Sequence, residues 1–275
     1  MAYESPRNGR TEGKGDFMSY ENLIYEVKEE IGVVTLNRPN RRNALSIALL
    51  RELIDLFEAI GRGKEARVVI LKGAGPAFCA GHDLTELVDH PLNSIRTLFQ
   101  TCIDLMELMH TIPQPVIGQV HGIATAAGCQ LAASCDLLVA EEGARFATPG
   151  VSIGLFCTTP MVAVSRSVGR KKALEMLMTG EMVSARDAME AGMVNKVVPK
   201  EKLDEATFTL AKKIASYSSL VLHIGKQAFY QQIEMPERKA FHYAKEVISS
   251  NAVMADAQEG MKAFLEKRSP VWIEE

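Results

Sequence analysis

PVIGQVHGIATAAGCQLAASCD, residues 115–136, is the stretch that decides the fold. Its first six residues form a short apolar run that is typical of a buried strand, and Gly122 can supply the turn that ends it. Small residues follow from Ala126 onward, so no bulky side chain screens the first turn of the helix expected there. The first amides of a helix have no intrahelical acceptor, so a carbonyl oxygen or an oxyanion can bind to them. Taken alone, however, the stretch favours a small-residue helix that only packs tightly against a sheet.

A second strand-like run is also followed by a glycine-rich turn. The run VVIL at 68–71 precedes KGAGPAFCAGHDL at 72–84, which contains three glycines and one proline before a predicted helix. Gly81 allows a backbone conformation that other residues rarely adopt, so the amide of His82 can face the same cavity as the amide of Ala127. Two convergent backbone donors form an oxyanion hole, a site that stabilises negative charge on a carbonyl oxygen.

Length and composition indicate a globular protein. The 275 residues can form one large domain or two small ones, and a hydrophobic fraction of 47% is ample for a sizeable core. The formal net charge of -3 provides no broad basic field, which argues against nucleic acid as a partner. The sequence has no run of about 18 apolar residues that would span a membrane.

The cysteines and the N-terminal composition lead to further expectations. The cysteines, at positions 79, 102, 129, 135 and 157, are odd in number and lack paired metal-ligand spacing. We therefore expect reduced, buried thiols, no metal site and a cytoplasmic protein.

Residues 1–17 are rich in glycine and charge, which predicts a disordered extension. They have neither the apolar core of a signal peptide nor the amphipathic face of an organelle presequence.

The rest of the chain alternates between strand and helix patterns. Further strands are predicted at 23–27 and 33–37, as an opening hairpin, and at 137–140 and 194–198. Ser46 can cap a helix that Gly61 can end, Gly180 can end a later helix, and Ser184 with Asp187 forms a capping box. Three or four amphipathic helices are expected at the C-terminal end. This alternation predicts a mixed α/β sheet with helices packed outside it.

Several motifs together resemble the crotonase superfamily, the family of enoyl-CoA hydratases and isomerases. They are NRP and NAL within 37–45, AFCAGHDL at 77–84, the stretch at 122–136, FATPGVSIG at 146–154 and EGMKAFLEKR at 259–268. They occur in the family's order and cover nearly the whole chain after residue 20. The resemblance implies an α/β fold with a crotonase-like ββα spiral core at 18–200 and a helical C-terminal trimerisation region at 201–275. It also implies a homotrimer or a dimer of trimers.

The resemblance assigns catalytic positions as well. Members of the family bind an acyl-CoA thioester and stabilise the enolate-like oxyanion at its carbonyl group, and the donors here would be the N–H groups of His82 and Ala127. Two glutamates transfer protons in the family's hydratases, and their positions hold Gln130 and Gly150. Glutamine can orient a water molecule but cannot act as a base near neutral pH. The candidate catalytic residues are therefore His82, Ala127 and Gln130, and efficient hydratase activity is not expected.

Coenzyme A is expected as part of the thioester ligand, and no resident cofactor is implied. By resemblance, the residues that contact it are Arg42, Ala44, Leu45, Ala80 and Leu84, with Phe264 and Lys267 from a neighbouring subunit. Arg41 and Arg42 can meet phosphate oxygens, because a guanidinium group matches their geometry, but a solvated turn explains both arginines equally well.

Two functions of different classes remain open. The first is an acyl-CoA-binding crotonase-superfamily protein of fatty-acid or acyl-CoA metabolism, hydratase- or isomerase-like, with its reaction undetermined. The second is a noncatalytic acyl-CoA-binding or regulatory protein. Glu86, Asp89 and His90 occupy a segment that often forms a mobile wall of the acyl pocket in the family, so they stay candidates for a substitute base. The side chain of His82 is expected to point away from the substrate.

Overall fold

A computed structural model describes residues 20–273. The strands are β1 (Leu23–Lys28), β2 (Ile31–Leu36), β3 (Val68–Gly73), β4 (Val116–Val120), β5 (Ile123–Thr125), β6 (Leu137–Glu141), β7 (Arg145–Ala147), β8 (Val183–Ser184) and β9 (Lys196–Val198). The α-helices are α1 (Ile47–Arg62), α2 (Leu92–Thr111), α3 (Ala127–Ala133), α4 (Thr158–Ser167), α5 (Arg170–Thr179), α6 (Ala185–Glu190), α7 (Leu203–Ala215), α8 (Ser219–Gln232), α9 (Glu237–Ala252) and α10 (Ala255–Glu266). The extension predicted at 1–17 lies outside the described residues.

Six strands form one sheet in the order β1-β2-β3-β4-β6-β9. The first two are the predicted antiparallel hairpin, in which Leu23 pairs with Leu36, and every later pair in this sheet is parallel. Parallel strands are buried on both faces, so they form continuous apolar runs such as VVIL in β3. The prediction of a mixed α/β sheet with helices outside it is confirmed.

Helices cover both faces of this sheet. On one face the main core includes Phe57, Phe78 and Phe146, all of them fully buried. On the other face α7 packs over β3, β4 and β6, and its Leu203 and Ala211 join a smaller core. The boundary predicted at residue 200 therefore precedes a helix that packs on the core sheet.

A second sheet, in the order β5-β7-β8, does not follow from the sequence pattern. Its strands contain only two or three residues each, which is too short to produce an alternating pattern. Thr125 of β5 pairs with Ala147 of β7, directly before the chain enters α3. This small sheet therefore sets the position at which α3 begins.

The end of α1 and the start of β9 differ from the predictions. Ser46 caps α1 as expected, but the helix continues through Gly61 because the Gly63 N–H bonds to two carbonyl groups of the last turn. Strand β9 begins two residues later than predicted. The Leu138 N–H donates to the Asn195 side-chain oxygen at 2.7 Å. This oxygen takes the place of the backbone carbonyl that would accept the hydrogen bond in a regular β-ladder.

Two other helix signals are confirmed. Gly180 follows α5 in the left-handed conformation, with φ of 66°. The Asp187 N–H donates to the Ser184 Oγ at 3.1 Å, and that hydroxyl donates to the Asp187 carboxylate at 2.7 Å. The predicted capping box therefore opens α6.

Helices α7 to α10 form the C-terminal region, in agreement with the predicted three or four helices. Lys226 fixes α8 to the core, since its ammonium group donates to the Met109 carbonyl at 2.7 Å and to the Gln114 carbonyl at 2.9 Å. The same group lies 2.8 Å from a carboxylate oxygen of Asp136. Among residues 20–273, no helix has both the length and the apolar character needed to cross a bilayer.

Candidate active site

The segment after β3 lies beside the small sheet. The Cys79 N–H donates to the Ile123 carbonyl at 3.1 Å, and the Thr125 N–H donates to the Cys79 carbonyl at 3.0 Å. These bonds form a parallel bridge between the segment and β5. They bring the glycine-rich turn at 80–82 next to the turn that leads into α3.

Gly81 lies at a close approach between the two turns. Its φ is +103°, a conformation that favours glycine. A Cβ at this position would lie 2.9 Å from the Ala126 Cβ and 3.5 Å from the Ala127 backbone nitrogen. Only a residue without a side chain allows this contact.

Ala126 occupies an unusual backbone conformation at the second turn. Its φ is 51° and its ψ is -121°, and such strain in a residue other than glycine costs about 1–3 kcal/mol. The Ala126 N–H donates to the Ala147 carbonyl at 2.9 Å, which holds the turn in place. The chain changes direction here, so the next amide, that of Ala127, lies outside the β5 ladder.

Within residues 20–273, the N–H groups of His82 and Ala127 are both unpaired, since neither donates to an acceptor there. The Asp83 N–H donates to the Leu45 carbonyl at 3.0 Å, and the Leu45 N–H donates to the Gly81 carbonyl at 2.8 Å. In such a parallel bridge the His82 N–H points away from Leu45. Two unpaired donors on adjacent turns can bind one oxyanion.

The side chain of His82 does not supply a base. Its ring packs edge-on against Phe99 of α2, with the ring centroids 5.1 Å apart. Both ring nitrogens are buried and lack a hydrogen-bond partner in the described part of the chain. Burial lowers the pKa of this imidazole to about 4, which makes it a weak proton acceptor near pH 7. His82 can therefore act through its backbone N–H.

Gln130 lies on α3, three residues after Ala127. It is only 4% exposed, and its Oε1 is buried without a partner among residues 20–273. A buried amide oxygen normally accepts a hydrogen bond, so this enclosed acceptor lacks its usual partner. An amide can accept a hydrogen bond from a water molecule but cannot remove its proton.

Gly150 has no room for a side chain. A Cβ at this position would lie 1.9 Å from the Leu155 carbonyl oxygen and 2.8 Å from the Cys157 Sγ. The Gly150 N–H also donates to that sulfur at 3.3 Å. The space that a second carboxylate would need is therefore filled by the segment at 155–157.

The substitute bases suggested by the sequence are engaged elsewhere or exposed. Glu86 accepts a hydrogen bond from the Ile47 N–H at 2.8 Å, at the start of α1. Asp89 and His90 are exposed to solvent. These contacts favour a helix-capping role for Glu86.

The segment predicted to bind coenzyme A lies next to the His82 turn. Leu45 forms a parallel bridge with His82, and the Ala80 N–H donates to the Arg42 carbonyl at 3.0 Å. The side chains of Arg42 and Leu84 are exposed, whereas Ala44 is half-buried. The structure therefore brings together the candidate ligand residues Arg42, Ala44, Leu45, Ala80 and Leu84.

Asn43 is a supporting residue that the sequence interpretation used only as part of a motif. Its side-chain oxygen accepts from the Arg38 N–H at 2.9 Å. Its amide group donates to the Ala74 carbonyl at 2.9 Å and to the Ala77 carbonyl at 2.8 Å. It therefore ties the coenzyme A segment to the loop after β3. The only sequence signal for this role was an asparagine placed between two arginines and an apolar pair.

Phe264 and Lys267 lie at the end of α10, which packs against α8 and α9. Phe264 is 82% exposed in the single chain, and Lys267 is also exposed. An exposed aromatic ring of this kind is available to a second subunit. Their contact with coenzyme A across a subunit boundary stays a prediction.

This fold and these motifs define a known family. The family model described as enoyl-CoA hydratase/isomerase matches residues 26–275, so the chain belongs to the enoyl-CoA hydratase/isomerase family. The resemblance to the crotonase superfamily and the crotonase-like fold are confirmed.

Similar proteins and solved structures relate the chain to a subgroup of this family. The mouse protein named enoyl-CoA hydratase domain-containing protein 3, mitochondrial, is 46% identical over 255 residues, which cover 92% of this chain and 85% of the relative. The solved structure of the human protein of that name has a TM-score of 0.89 and 43% identity, and covers 91% of this chain and 100% of its own. An enoyl-CoA hydratase from Mycobacterium smegmatis has a TM-score of 0.89 and 46% identity, with coverage of 91% and 98%. The segments ATAAGCQLAASCD and FATPGVSIGLFCTTP resemble the domain-containing protein 3 subgroup, and that resemblance is confirmed as well.

The expectation of a cytoplasmic protein is wrong. The similar vertebrate proteins of that subgroup are named mitochondrial. The five cysteines are buried, and burial raises the pKa of Cys79 to about 12. Reduced thiols therefore reflect packing in the core and carry no information about the compartment.

Proposed function

We propose that the chain binds an acyl-CoA thioester and holds its carbonyl oxygen between the N–H groups of His82 and Ala127. The observation that carries this proposal is the pair of unpaired backbone donors on adjacent turns. One donor of this type is commonly worth a factor of about 10² to 10³ in rate. The pair would polarise the thioester and stabilise an enolate-like oxyanion.

Efficient hydration is not part of this proposal. Hydration across a double bond needs a group that removes a proton from water and a group that protonates the α-carbon. Gln130 has no basic group, and Gly150 lacks both a side chain and the space for one. The retained oxyanion hole would support enolate chemistry only if another group moved the proton.

A noncatalytic acyl-CoA-binding or regulatory function is the second candidate. The filled space beside Gly150 and the capping bond of Glu86 both favour it. A screen of acyl-CoA substrates separates the two functions, because an enzyme converts at least one thioester whereas a pure binder converts none.

We further propose that the protein forms a homotrimer or a dimer of trimers. The exposed Phe264 and Leu265 of α10 support an additional subunit contact. Light scattering is expected to give the mass of three or six chains. Removal of the residues after Val253 is expected to damage assembly and coenzyme A binding together. A stable wild-type monomer that binds coenzyme A normally would contradict both the proposed assembly and the expected effect of the truncation.

Calorimetry with a matched pair of ligands tests the proposed function. Acetyl-CoA carries the carbonyl oxygen, whereas S-ethyl-CoA has a methylene group in its place. We expect saturable binding of both, with acetyl-CoA bound about thirtyfold more tightly, since each of the two hydrogen bonds contributes about 1 kcal/mol net. Absence of saturable binding up to millimolar acetyl-CoA would overturn the proposal. Equal affinities would overturn the role of the two N–H groups.

A further inference from the structure

Cys157 carries a nucleophilic group that the proposed function does not use. Its thiol lies at the end of the segment at 155–157, next to Gly150. The Gly150 N–H donates to the sulfur at 3.3 Å, and a Cβ at position 150 would begin 2.8 Å from that sulfur. The sulfur therefore occupies space that a side chain of residue 150 would take.

A chain of contacts connects this sulfur to the turn that carries the Ala127 N–H. The Ala126 N–H donates to the Ala147 carbonyl at 2.9 Å, and the Ala147 backbone also interacts with the Cys129 sulfur. The Cys129 and Cys157 thiols are close enough to interact electrostatically. Helix α4 begins directly after Cys157 and packs against α3. Because Cys129 follows Ala127 by two residues, Cys157 lies beside the first turn of α3.

An unpaired hydroxyl group belongs to the same part of the chain. Thr148 precedes Gly150 by two residues, and its side chain is completely buried. Its Oγ1 has no hydrogen-bond partner in the part of the chain that the structure describes. Buried hydroxyl groups normally form hydrogen bonds. This unmet hydrogen bond indicates a bound molecule beside the segment at 148–150, independently of the thiol.

The surroundings of the Cys157 thiol both oppose and favour its ionisation. Burial raises the pKa of this thiol, and the hydrogen bond from the Gly150 N–H opposes that rise. Cys157 is also the N-cap residue of α4, where the positive end of the helix dipole favours a negative charge. A cysteine thiolate is intrinsically a strong nucleophile. An electrophilic carbon placed next to the sulfur would therefore be attacked.

An α,β-unsaturated thioester supplies such a carbon when its carbonyl oxygen lies in the oxyanion hole. The β-carbon is only two bonds from the carbonyl carbon, and hydrogen bonds from the His82 and Ala127 N–H groups would make it more electrophilic. Addition of water at this carbon needs a base that removes a proton from the water. A thiolate adds directly, and a saturated thioester has no electrophilic β-carbon.

We propose that Cys157 captures α,β-unsaturated acyl-CoA thioesters covalently, by adding its sulfur to the β-carbon of the acyl group. The inference rests on the proposed function, because the oxyanion hole positions the double bond. The S–H bond breaks and a bond forms between Sγ and the β-carbon. The π-electron pair moves to the carbonyl oxygen as an enolate, which the two N–H groups stabilise.

The proton lost by the sulfur returns through solvent to the α-carbon as the enolate collapses. The product is a thioether between Cys157 and an acyl-CoA that has lost its double bond. Its thioester bond to coenzyme A stays intact. The step therefore needs no oxidant or reductant and releases no leaving group.

Mass spectrometry of the intact, full-length protein tests this capture with two matched ligands. Crotonyl-CoA has the double bond, and butyryl-CoA has the same carbon skeleton without it. In mildly alkaline buffer, which favours the thiolate, we expect a single crotonyl-CoA adduct per chain and no butyryl-CoA adduct. Peptide mapping of the wild-type adduct is expected to identify Cys157. Butyryl-CoA at about ten times its Kd is expected to slow labelling about tenfold, because both ligands would occupy the same oxyanion hole.

Cys135 provides the matched control. Its exposure of 8% is close to the 7% of Cys157, but its sulfur packs beside Gly118 of β4. Cys157→Ser is expected to abolish the adduct, whereas Cys135→Ser is expected to be labelled like wild type. The wild-type peptide map identifies the labelled residue even if Cys157→Ser does not fold.

An adduct on Cys135, or labelling that butyryl-CoA does not slow, would overturn the proposal. Calorimetry with butyryl-CoA separates this proposal from the proposed function. If butyryl-CoA binds and crotonyl-CoA forms no adduct, covalent capture is excluded while the proposed function stands. If neither ligand binds, both proposals fail together.

Discussion

Arg38 forms an ion pair with Asp83, with the guanidinium nitrogen 3.0 Å from the carboxylate oxygen, and this pair joins the coenzyme A segment to the turn that carries His82. The second guanidinium nitrogen of Arg38 donates to the Ala44 carbonyl. Both ionic side chains are mostly buried, at 18% and 10% exposure. Arg38 therefore fixes the distance between the candidate coenzyme A segment and the candidate oxyanion hole.

Replacement of Arg38 is expected to reduce stability and thioester binding together. Arg38→Gln would leave the Asp83 carboxylate without its charged partner, which costs about 1–3 kcal/mol in the free energy of unfolding. Urea denaturation measures that loss, and calorimetry with acetyl-CoA measures the binding. The control is Arg62→Gln, which removes an exposed pair with Glu58 and is expected to cost less than about 1 kcal/mol. Equal losses in the two variants would contradict this role of Arg38.

The contribution of Asp83 to stability is expected to depend on pH. Burial alone would raise its pKa, but hydrogen bonds from Thr85 and Arg38 outweigh burial and hold the pKa below its ordinary value. A carboxyl group with a lowered folded-state pKa stabilises the fold above the unfolded-state pKa, and this stabilisation is lost as the pH falls through the folded-state value. The difference in free energy of unfolding between wild type and Asp83→Asn is therefore expected to shrink below about pH 4. A difference that stayed constant from pH 7 to pH 3 would exclude this ion pair as its source.

Gly150 is expected to be intolerant of any side chain. In Gly150→Ala, the new Cβ would collide with the Leu155 carbonyl oxygen, and overpacking of this kind typically costs about 1–3 kcal/mol. Gly225 of α8 is the matched control, because a Cβ there meets nothing within 4 Å. Gly225→Ala is expected to stabilise the protein by about 0.5–1 kcal/mol, since alanine is the better helix former. Thermal or urea unfolding measures the stability of both variants. If Gly150→Ala were as stable as wild type, the segment at 155–157 would be able to move away from the new Cβ.

Wild type is expected to be a poor enoyl-CoA hydratase. One placed proton-transfer group is commonly worth about 10² to 10⁴ in rate, and two such groups are missing here. Because position 150 is blocked, Gln130→Glu is the cleaner gain-of-function variant. Crotonyl-CoA hydration, followed by loss of the conjugated thioester absorbance, is expected to be slow in wild type and faster in Gln130→Glu. Wild-type turnover in the usual hydratase range would show that a base had been missed.

Local chemistry accounts for the part of the fold that the sequence predicts. Ser46 and the capping box at Ser184 act within three residues, and the glycine-rich turn at Gly81 needs its left-handed conformation whatever packs around it. The oxyanion donors could be anticipated for the same reason, because each belongs to one short turn. The small sheet could not be anticipated, because its short strands are stabilised by distant partners and show no sequence pattern of their own.

The contacts between distant elements were not visible in the sequence. Filling of the space beside Gly150 depends on where the Leu155 carbonyl folds back, which no spacing of residue types indicates. A cavity of about 840 Å³ beside Gln130 forms only where α2, α3, α4 and α8 meet, and α8 begins more than 50 residues after α4 ends. In the sequence, Lys226 is typical of an exposed lysine on an amphipathic helix. In the structure its side chain is only 6% exposed.

Lys226 is expected to be essential for the attachment of α8 to the core. Lys226→Met would keep most of the apolar stem but would remove the charge that faces Asp136 and the donors to the Met109 and Gln114 carbonyls. A buried carboxylate that loses its charged partner typically costs about 3–5 kcal/mol. The Val116 N–H and the Tyr230 hydroxyl would still bond to Asp136, so the loss is expected near the lower end of that range.

The exposed Lys239 of α9 provides the control for this prediction, and Lys239→Met is expected to change the free energy of unfolding by less than about 0.5 kcal/mol. Amide hydrogen exchange locates the effect, because release of α8 would speed exchange in α8 before exchange in the central strands. Unchanged exchange in α8, together with a stability loss no larger than in Lys239→Met, would show that the buried ion pair does not hold this helix.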